Sequence, residues 1–526
     1  MSYKLLPLIV FGFINIKSVY ADSGVWIPGW IDLYWNNNAN WSGSSFPNGA
    51  GEVAAFIGQH PGTFPIDSTE DITLGSLHFD APGRSISIAF ASNDLIFESS
   101  GVQNQANIFI AKEQTHFIDT PIVLLSDLSI HAGSSASLYL NAPISGDHSV
   151  SIFVDPNTHI NSNIGHSYTG ATIVQSGWLD LNGPGSAINV PGDIVVMGSG
   201  YLKHASGTSN NYAVGAEMFL NGGELDLGDT TQTIGSLEMA KRAIIYGSPN
   251  STLRLSDAAI ALKMREDSLL TIDNIVIENG GAITNDPSLV GNGYFLGQAS
   301  PQGHMTLDLN GNTVAINVNN GIYEPNKDII LDFFDVQISN GTLLKTGGSR
   351  IFLEGTKGSI PSLAILGGGV QIGRATSPAE IDSNGTLTIE ASTFLSGFGS
   401  IGTADSLNVI NDGFLIPGDH AELGTLTILG DYEQEMGGSL LVQGESESNV
   451  NALVVENGDV NLSGSLYFSA LPNANYQPGD QVVLIDNTGG SITGNFLQFQ
   501  ANLPQGLSAS LSYTSDQVIM NLSSCN

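Results

Sequence analysis

Along most of this chain, bulky apolar residues alternate with small or polar ones. The stretch SYTGATIVQSGWLDLN, residues 167–182, is typical. Tyr168, Ile173, Val174, Trp178, Leu179 and Leu181 carry its apolar bulk, separated by hydroxyls, an amide, one acid and two glycines. A shorter pattern recurs: Gly, any residue, Leu, any residue, then Leu, Ile, Val or Phe. It reads GSLHF from Gly75, GWLDL from Gly177, GELDL from Gly223, GTLTI from Gly385 and Gly424, GSLLV from Gly438 and GSLYF from Gly464. Apolar positions two apart share one face of a strand. The leading glycine marks a turn, and turn signals recur about every 8–12 residues, as in all-β chains.

One such strand buries a single face and is not stable alone. A sandwich of 526 residues would need several domains, yet no Pro-rich or charged linker divides the chain. Stacked coils solve this, because each coil rests its apolar face on the next and the core grows lengthwise. The predicted fold is an all-β, right-handed parallel β-helix of about twenty coils, each of roughly 20–25 residues. In residues 167–182, Ile173, Trp178, Leu179 and Leu181 are expected to stack between coils, with Gly170 and Gly177 at turns.

Composition sharpens this picture. Only 12% of residues are charged, against roughly 25% in ordinary soluble proteins. Sixty-three glycines supply the backbone freedom of many tight turns, and 41% hydrophobic content is ample for a core and excludes wholesale disorder. The net charge of −35 excludes nucleic acid as a partner, since phosphate needs clustered Lys and Arg. The acids are scattered and read as a solvated, self-repelling surface. Lys4, the apolar run LLPLIVFGFINI and Val19-Tyr20-Ala21 read as a secretory signal peptide, residues 1–21, cut after Ala21. Cys525 is the single cysteine. It permits no intramolecular disulfide. An intermolecular bridge and a frayed terminal thiol both stay open, the thiol being favoured.

Several stretches carry a family resemblance. Residues 165–202, GHSYTGATIVQSGWLDLNGPGSAINVPGDIVVMGSGYL, resemble the autotransporter-associated β-strand repeat, with Tyr168, Thr169, Gly170, Thr172, Gly177, Leu179 and Leu181 in matching places. LDLGDTTQTIGSLEM and STLRL, within residues 222–255, are similar to another segment of the same families. Residues 395–469 resemble the end of an autotransporter passenger domain, with Pro417, Gly418, Gly424, Thr425, Leu426, Gly430, Tyr432, Gln434, Gly438 and Leu440 matching. The tail QPGDQVVLIDNTGGSITGNF fits the same pattern, and WNNNANWSGSSFPNGAGEVAAF, Trp35 to Phe56, resembles a leading segment of such proteins. The resemblance implies four regions: signal peptide 1–21, a Trp-rich cap 22–60, β-helix 61–394, and a passenger C-terminal segment 395–526. Autotransporters end in a translocator barrel of roughly 250–300 residues. No barrel segment is read here, so self-export is not expected. A separate outer-membrane exporter, periplasmic residence or a truncated chain are the options.

Candidate chemistry is sparse. Trp26, Trp30, Trp35 and Trp41 fall close together. Their rings could form a glycan-stacking patch, but the favoured reading is a cap that plugs the first coil, which solenoids require. Parallel β-helices also host polysaccharide lyases and glycosidases, which need converging carboxylates or a base beside calcium ligands. No Asp-Asp pair occurs, and Lys241-Arg242 is the sole adjacent basic pair, read as a solvated turn. Asp180 and Asp226 share the GxLDL setting and are expected to point outward into solvent. No Gly-x-Ser-x-Gly elbow, zinc-spaced histidine set or phosphate loop occurs; His159 and His166 read as loop residues, and Gly367-Gly368-Gly369 lacks a following Lys-Ser or Lys-Thr. No catalytic residue, metal or cofactor is expected.

The resulting expectation is a secreted or surface-exposed passenger-like β-helix, periplasmic if no exporter exists. Its work would be adhesion or display toward a host-cell surface, a glycan or neighbouring bacteria. The rival readings are a polysaccharide-active β-helix enzyme and a barrel-less remnant.

Overall fold

The computed structural model describes residues 24–27, 32–58, 64–101, 104–185, 187–285, 293–297, 303–319 and 331–525, without the side chains of 404 and 405. The expected signal peptide, 1–21, and Trp30 lie outside them. The chain forms two compact units, Met1–Gly192 and Asp193–Asn526, a division that falls inside the 61–394 segment grouped together above. Both are parallel β-solenoids, with about 17 turns in all. That is fewer than twenty because coil length varies widely. Met218 stands opposite Leu237, nineteen residues on, whereas Phe295 stands opposite Phe333, thirty-eight residues on.

In unit 1, the first four coils each give one strand to each of three parallel ladders, and the last two continue the first and second. The first runs through Val53–Ile57, Ser76–Asp80, Gln105–Ile110, Asp127–Ala132, Val150–Val154 and the start of Thr172–Leu181. The second runs through Phe64–Ile66, Ile86–Ile88, Thr115–Ile118, Ser137–Leu140, His159–Ser162 and the end of Thr172–Leu181. The third joins Ile72–Leu74, Leu95–Phe97, Ile122–Leu124 and Ile144–Gly146. The alternation seen in the sequence sets this geometry. Leu77, Ile108, Ile130, Ile152 and Val174 stack in register along the first ladder, each almost wholly buried.

Unit 2 repeats the three-ladder plan and ends differently. Gln481–Thr488, Gln517–Ser524 and Leu507–Tyr513 pair antiparallel and break the coil repeat at the C-terminal end of this unit. Wherever the glycine-led pattern occurs, its two apolar positions face inward: Leu77 and Phe79, Leu179 and Leu181, Leu225 and Leu227, Leu387 and Ile389, Leu426 and Ile428, Leu440 and Val442, Leu466 and Phe468.

The stretch 167–182 departs from its expected pattern in one respect. Val174, Leu179 and Leu181 face inward, but Ile173 and Trp178 point outward and are half-buried. Gly177, with φ of +73°, turns the corner between two ladders inside one strand. The pleat restarts there, so alternation counted through the corner puts side chains on the wrong face. A Cβ at Gly177 would also stand 2.1 Å from Val154 Cγ2.

The passenger-like motif has a structural reason. Tyr432 is buried, donates to Gln434 Oε1 at 2.8 Å and accepts from Asn411 Nδ2 at 3.1 Å. Gln434 Nε2 in turn donates to the carbonyls of Gly438, Ser463 and Ser465. Tyr432 thus holds Gln434, two residues on, where its amide adds donors to three corner carbonyls.

Candidate functional site

Three of the N-terminal tryptophans, Trp26, Trp35 and Trp41, pack together inside the chain. Trp26, Trp35 and Trp41 are 5%, 0% and 2% exposed. The Trp35 and Trp41 ring centroids lie 4.8 Å apart, Trp26 and Trp41 5.1 Å, and all three pack on Phe56. Trp35 Nε1 donates to Pro47 O and Trp41 Nε1 to Trp35 O. Phe56 stacks on Phe79, and Phe79 on the His116 imidazole at 4.4 Å, so the cluster continues into the core. A buried ring has no face to offer a sugar.

The two acids of the GxLDL setting differ. Asp180, expected in solvent, is 9% exposed and accepts from His159 Nδ1 at 2.6 Å. His159 opens the strand His159–Ser162 rather than lying in a loop. Asp226 is half-buried and accepts from the Tyr201 hydroxyl and the Gly228 N–H. His166 is a buried corner residue whose Nδ1 accepts from Ile144 N–H. Lys241 and Arg242 form an exposed turn with positive φ.

The outward face of the first ladder in unit 1 carries what sequence reasoning missed. His78, Phe109, His131 and Phe153 stand in register on four successive coils. Their ring centroids are 4.6, 4.9 and 5.8 Å apart in turn. Phe109 and Phe153 are 36% and 49% exposed. Beside them runs a column of small polar residues, Ser76, Asn107, Ser129 and Ser151, and Ser129 Oγ meets His131 Nε2 at 2.9 Å. Burial between neighbouring rings pushes His78 and His131 down to about 4, so both are neutral at pH 7. The ring column is therefore uncharged at pH 7, on a strongly acidic chain. Outward phenylalanines gain nothing for the core, so their place at solvent is the anomaly. The second "any residue" of the glycine-led pattern, His78 in GSLHF, was the available signal.

Two clusters resemble catalytic sites. On the second ladder, His159 and Asp180 form a dyad, and Ser137 faces His159 in register without a hydrogen bond to it. In unit 2, Asp332 and Glu354 converge across adjacent coils, the arrangement a glycosidase would need. Arg374 spans both, with Nη2 3.1 Å from Asp332 Oδ2 and Nε bonded to Glu354, and its guanidinium lies 4.2 Å from the Phe352 ring centre. Burial, with Glu354 adding to it, raises Asp332 to about 6 against the pull of Arg374. This is an ion-paired knot covered by its own arginine, and Asp332, Phe352 and Glu354 are all buried. Among the described residues, no group of three His, Cys, Asp or Glu side chains could hold a metal ion, and no helix is long and apolar enough to cross a membrane. Cys525 is a free, exposed thiol.

No family model matches the chain. No curated protein matches it either. Among solved structures, the crystal structure of the Haemophilus influenzae Hap adhesin matches with a TM-score of 0.28 and 11% identity. The match covers 90% of this chain and 60% of that one, so the chain spans less than two thirds of the adhesin structure. A likeness of that size carries no inference about function.

Proposed function

We propose that this chain is a secreted, surface-presented β-solenoid that works by adhesion and has no catalytic role of its own. The observation that carries the reading is the ridge of His78, Phe109, His131 and Phe153. It sets two phenylalanine rings at solvent with half-buried neutral imidazoles beside them, over four successive coils. Repeated weak contacts along such a ridge suit a rigid partner surface, such as that of a host cell or a neighbouring bacterium. The strong negative charge keeps copies apart and leaves the neutral ridge as the adhesive part. The signal-like leader of the sequence supports export.

Two experiments test this. Antibody raised to residues 22–526 is used on fractionated and protease-shaved native cells. Signal in the medium, or lost from intact cells, is expected; signal released only by outer-membrane rupture overturns surface adhesion. Purified chain carrying Phe109→Thr and Phe153→Thr is then compared with wild type for binding to cells. A loss of tenfold or more at an unchanged circular dichroism spectrum is expected, and equal binding removes the ridge from the reading.

A further inference from the structure

Unit 2 carries a second outward surface, independent of the unit 1 ridge. Four successive coils contribute Phe414–Pro417, Ser439–Ser446, Ser465–Ala470 and Gln498–Asn502. These strands line a cavity of about 220 Å³. Ile416, Leu441, Val442 and Phe468 supply its apolar lining, and Tyr467, 38% exposed, follows Leu441 in the same register column. Gln443, Ser469, Gln500 and Asn502 rim it, the first, second and fourth in one register column. His420 closes one side, on a turn held by Asp419 Oδ1, which accepts from the N–H groups of Ala421 and Glu422.

Buried amides of this chain are hydrogen-bonded: Gln371 accepts from Arg350 and donates to Gly373 O, and Asn161 accepts from Asn182. Among the described residues, the side chains of Gln443, Ser469, Gln500 and Asn502 and the Tyr467 hydroxyl have no hydrogen-bond partner and face solvent. They therefore present donors and acceptors together, around an aromatic ring and an apolar lining. No Asp, Glu, Lys or Arg lines the cavity.

We propose that this cavity binds a neutral saccharide unit. A pyranose has apolar C–H faces for Tyr467, Ile416 and Leu441, and hydroxyls that both donate and accept, as amides and hydroxyls require. The net charge of −35 works against sialylated or uronate sugars, and no cation in the lining would pair with them. The volume lies below the roughly 300–1,000 Å³ of drug-sized pockets, which fits a single ring of a longer glycan.

The test uses the full chain. Lactose, cellotriose, maltotriose and a mannose disaccharide are titrated by saturation-transfer NMR and calorimetry, with sialyllactose as the charged comparison. At least one neutral sugar is expected to bind, and sialyllactose more weakly than lactose. Tyr467→Ala should raise Kd tenfold or more and Gln443→Ala several-fold. Both positions face outward, so the unfolding midpoint should not move, and if Tyr467→Ala unfolds the chain, Gln443→Ala decides alone. The variant Leu125→Thr, at an exposed position of the other unit, should leave Kd unchanged. Absence of binding by every neutral sugar at millimolar concentration overturns the proposal, as does a Kd indifferent to Tyr467→Ala and Gln443→Ala.

Discussion

Single residues show how the solenoid tolerates polar groups inside. Lys345 is fully buried in a core column between Ile316 and Ile365. Its ammonium donates to the carbonyls of Thr346, Gly347 and Gly367, at 2.7, 3.1 and 2.9 Å. Burial lowers it to about 8, so it is mostly charged at pH 7. Lys345→Met keeps the apolar stem and removes the ammonium donor from the Gly347 and Gly367 carbonyls, while Thr346 O keeps the Val318 N–H. A loss of about 1–3 kcal/mol is expected in urea unfolding; an equal or higher midpoint would show that the carbonyls find water instead. Lys345 occupies the inward position of a strand, where sequence alternation demands an apolar residue. Nothing in the sequence distinguishes it from a solvated lysine.

At the level of the strand, stability resides in the columns. Ile130 sits in the middle of the first ladder of unit 1, with Ile108 and Ile152 on either side. Ile130→Ala opens a cavity between two coils and should cost about 2–5 kcal/mol. Ser151→Ala, outward on the adjacent coil, should change stability by less than about 0.5 kcal/mol. Paired denaturation curves check both, and similar losses would mean the inward and outward assignment is wrong. The glycine-led pattern makes this assignment legible, because its Leu and its final apolar residue face inward at every copy described. The intervening positions were not legible in the same way. His78, Tyr467 and Leu441 occupy the slot that Asp180 and Thr388 fill elsewhere, and only the neighbouring coils show what each meets.

On the scale of the whole molecule, pH dependence is unevenly distributed. Burial lowers His116 to about 3 and His78, His131 and His166 to about 4, all in unit 1, whereas His204, also at about 4, lies in unit 2. Each is neutral when folded and takes a proton near 6.5 when unfolded. Between about 4 and 6.5 the unfolded chain therefore binds more protons. The stability present above 6.5 is lost as pH falls through that window. Asp332 works in the opposite sense, because its raised value favours the folded state as pH falls below about 6, and it lies in unit 2. Hydrogen exchange followed from pH 7 to 4.5 should show amides of unit 1 losing protection before those of unit 2. Simultaneous loss would mean that other groups dominate. His166→Gln should flatten the fall in the unfolding midpoint over the same range.

The sequence by itself determined the all-β class, the solenoid and the inward columns, because alternation and turn spacing are local properties of the chain. It also marked the Tyr432 and Gln434 corner by resemblance, although the reason for that spacing lies in carbonyls from later coils. Only the tertiary structure decided which outward residues meet. His159 and Asp180 are twenty-one residues apart in sequence and share a hydrogen bond. Phe109 touches rings thirty-one residues before it and twenty-two after, and Ile416 and Gln500, eighty-four residues apart, line one cavity. The number of residues in each coil sets these encounters. It varies with every loop, so sequence distance does not give spatial distance until the register of each coil is known.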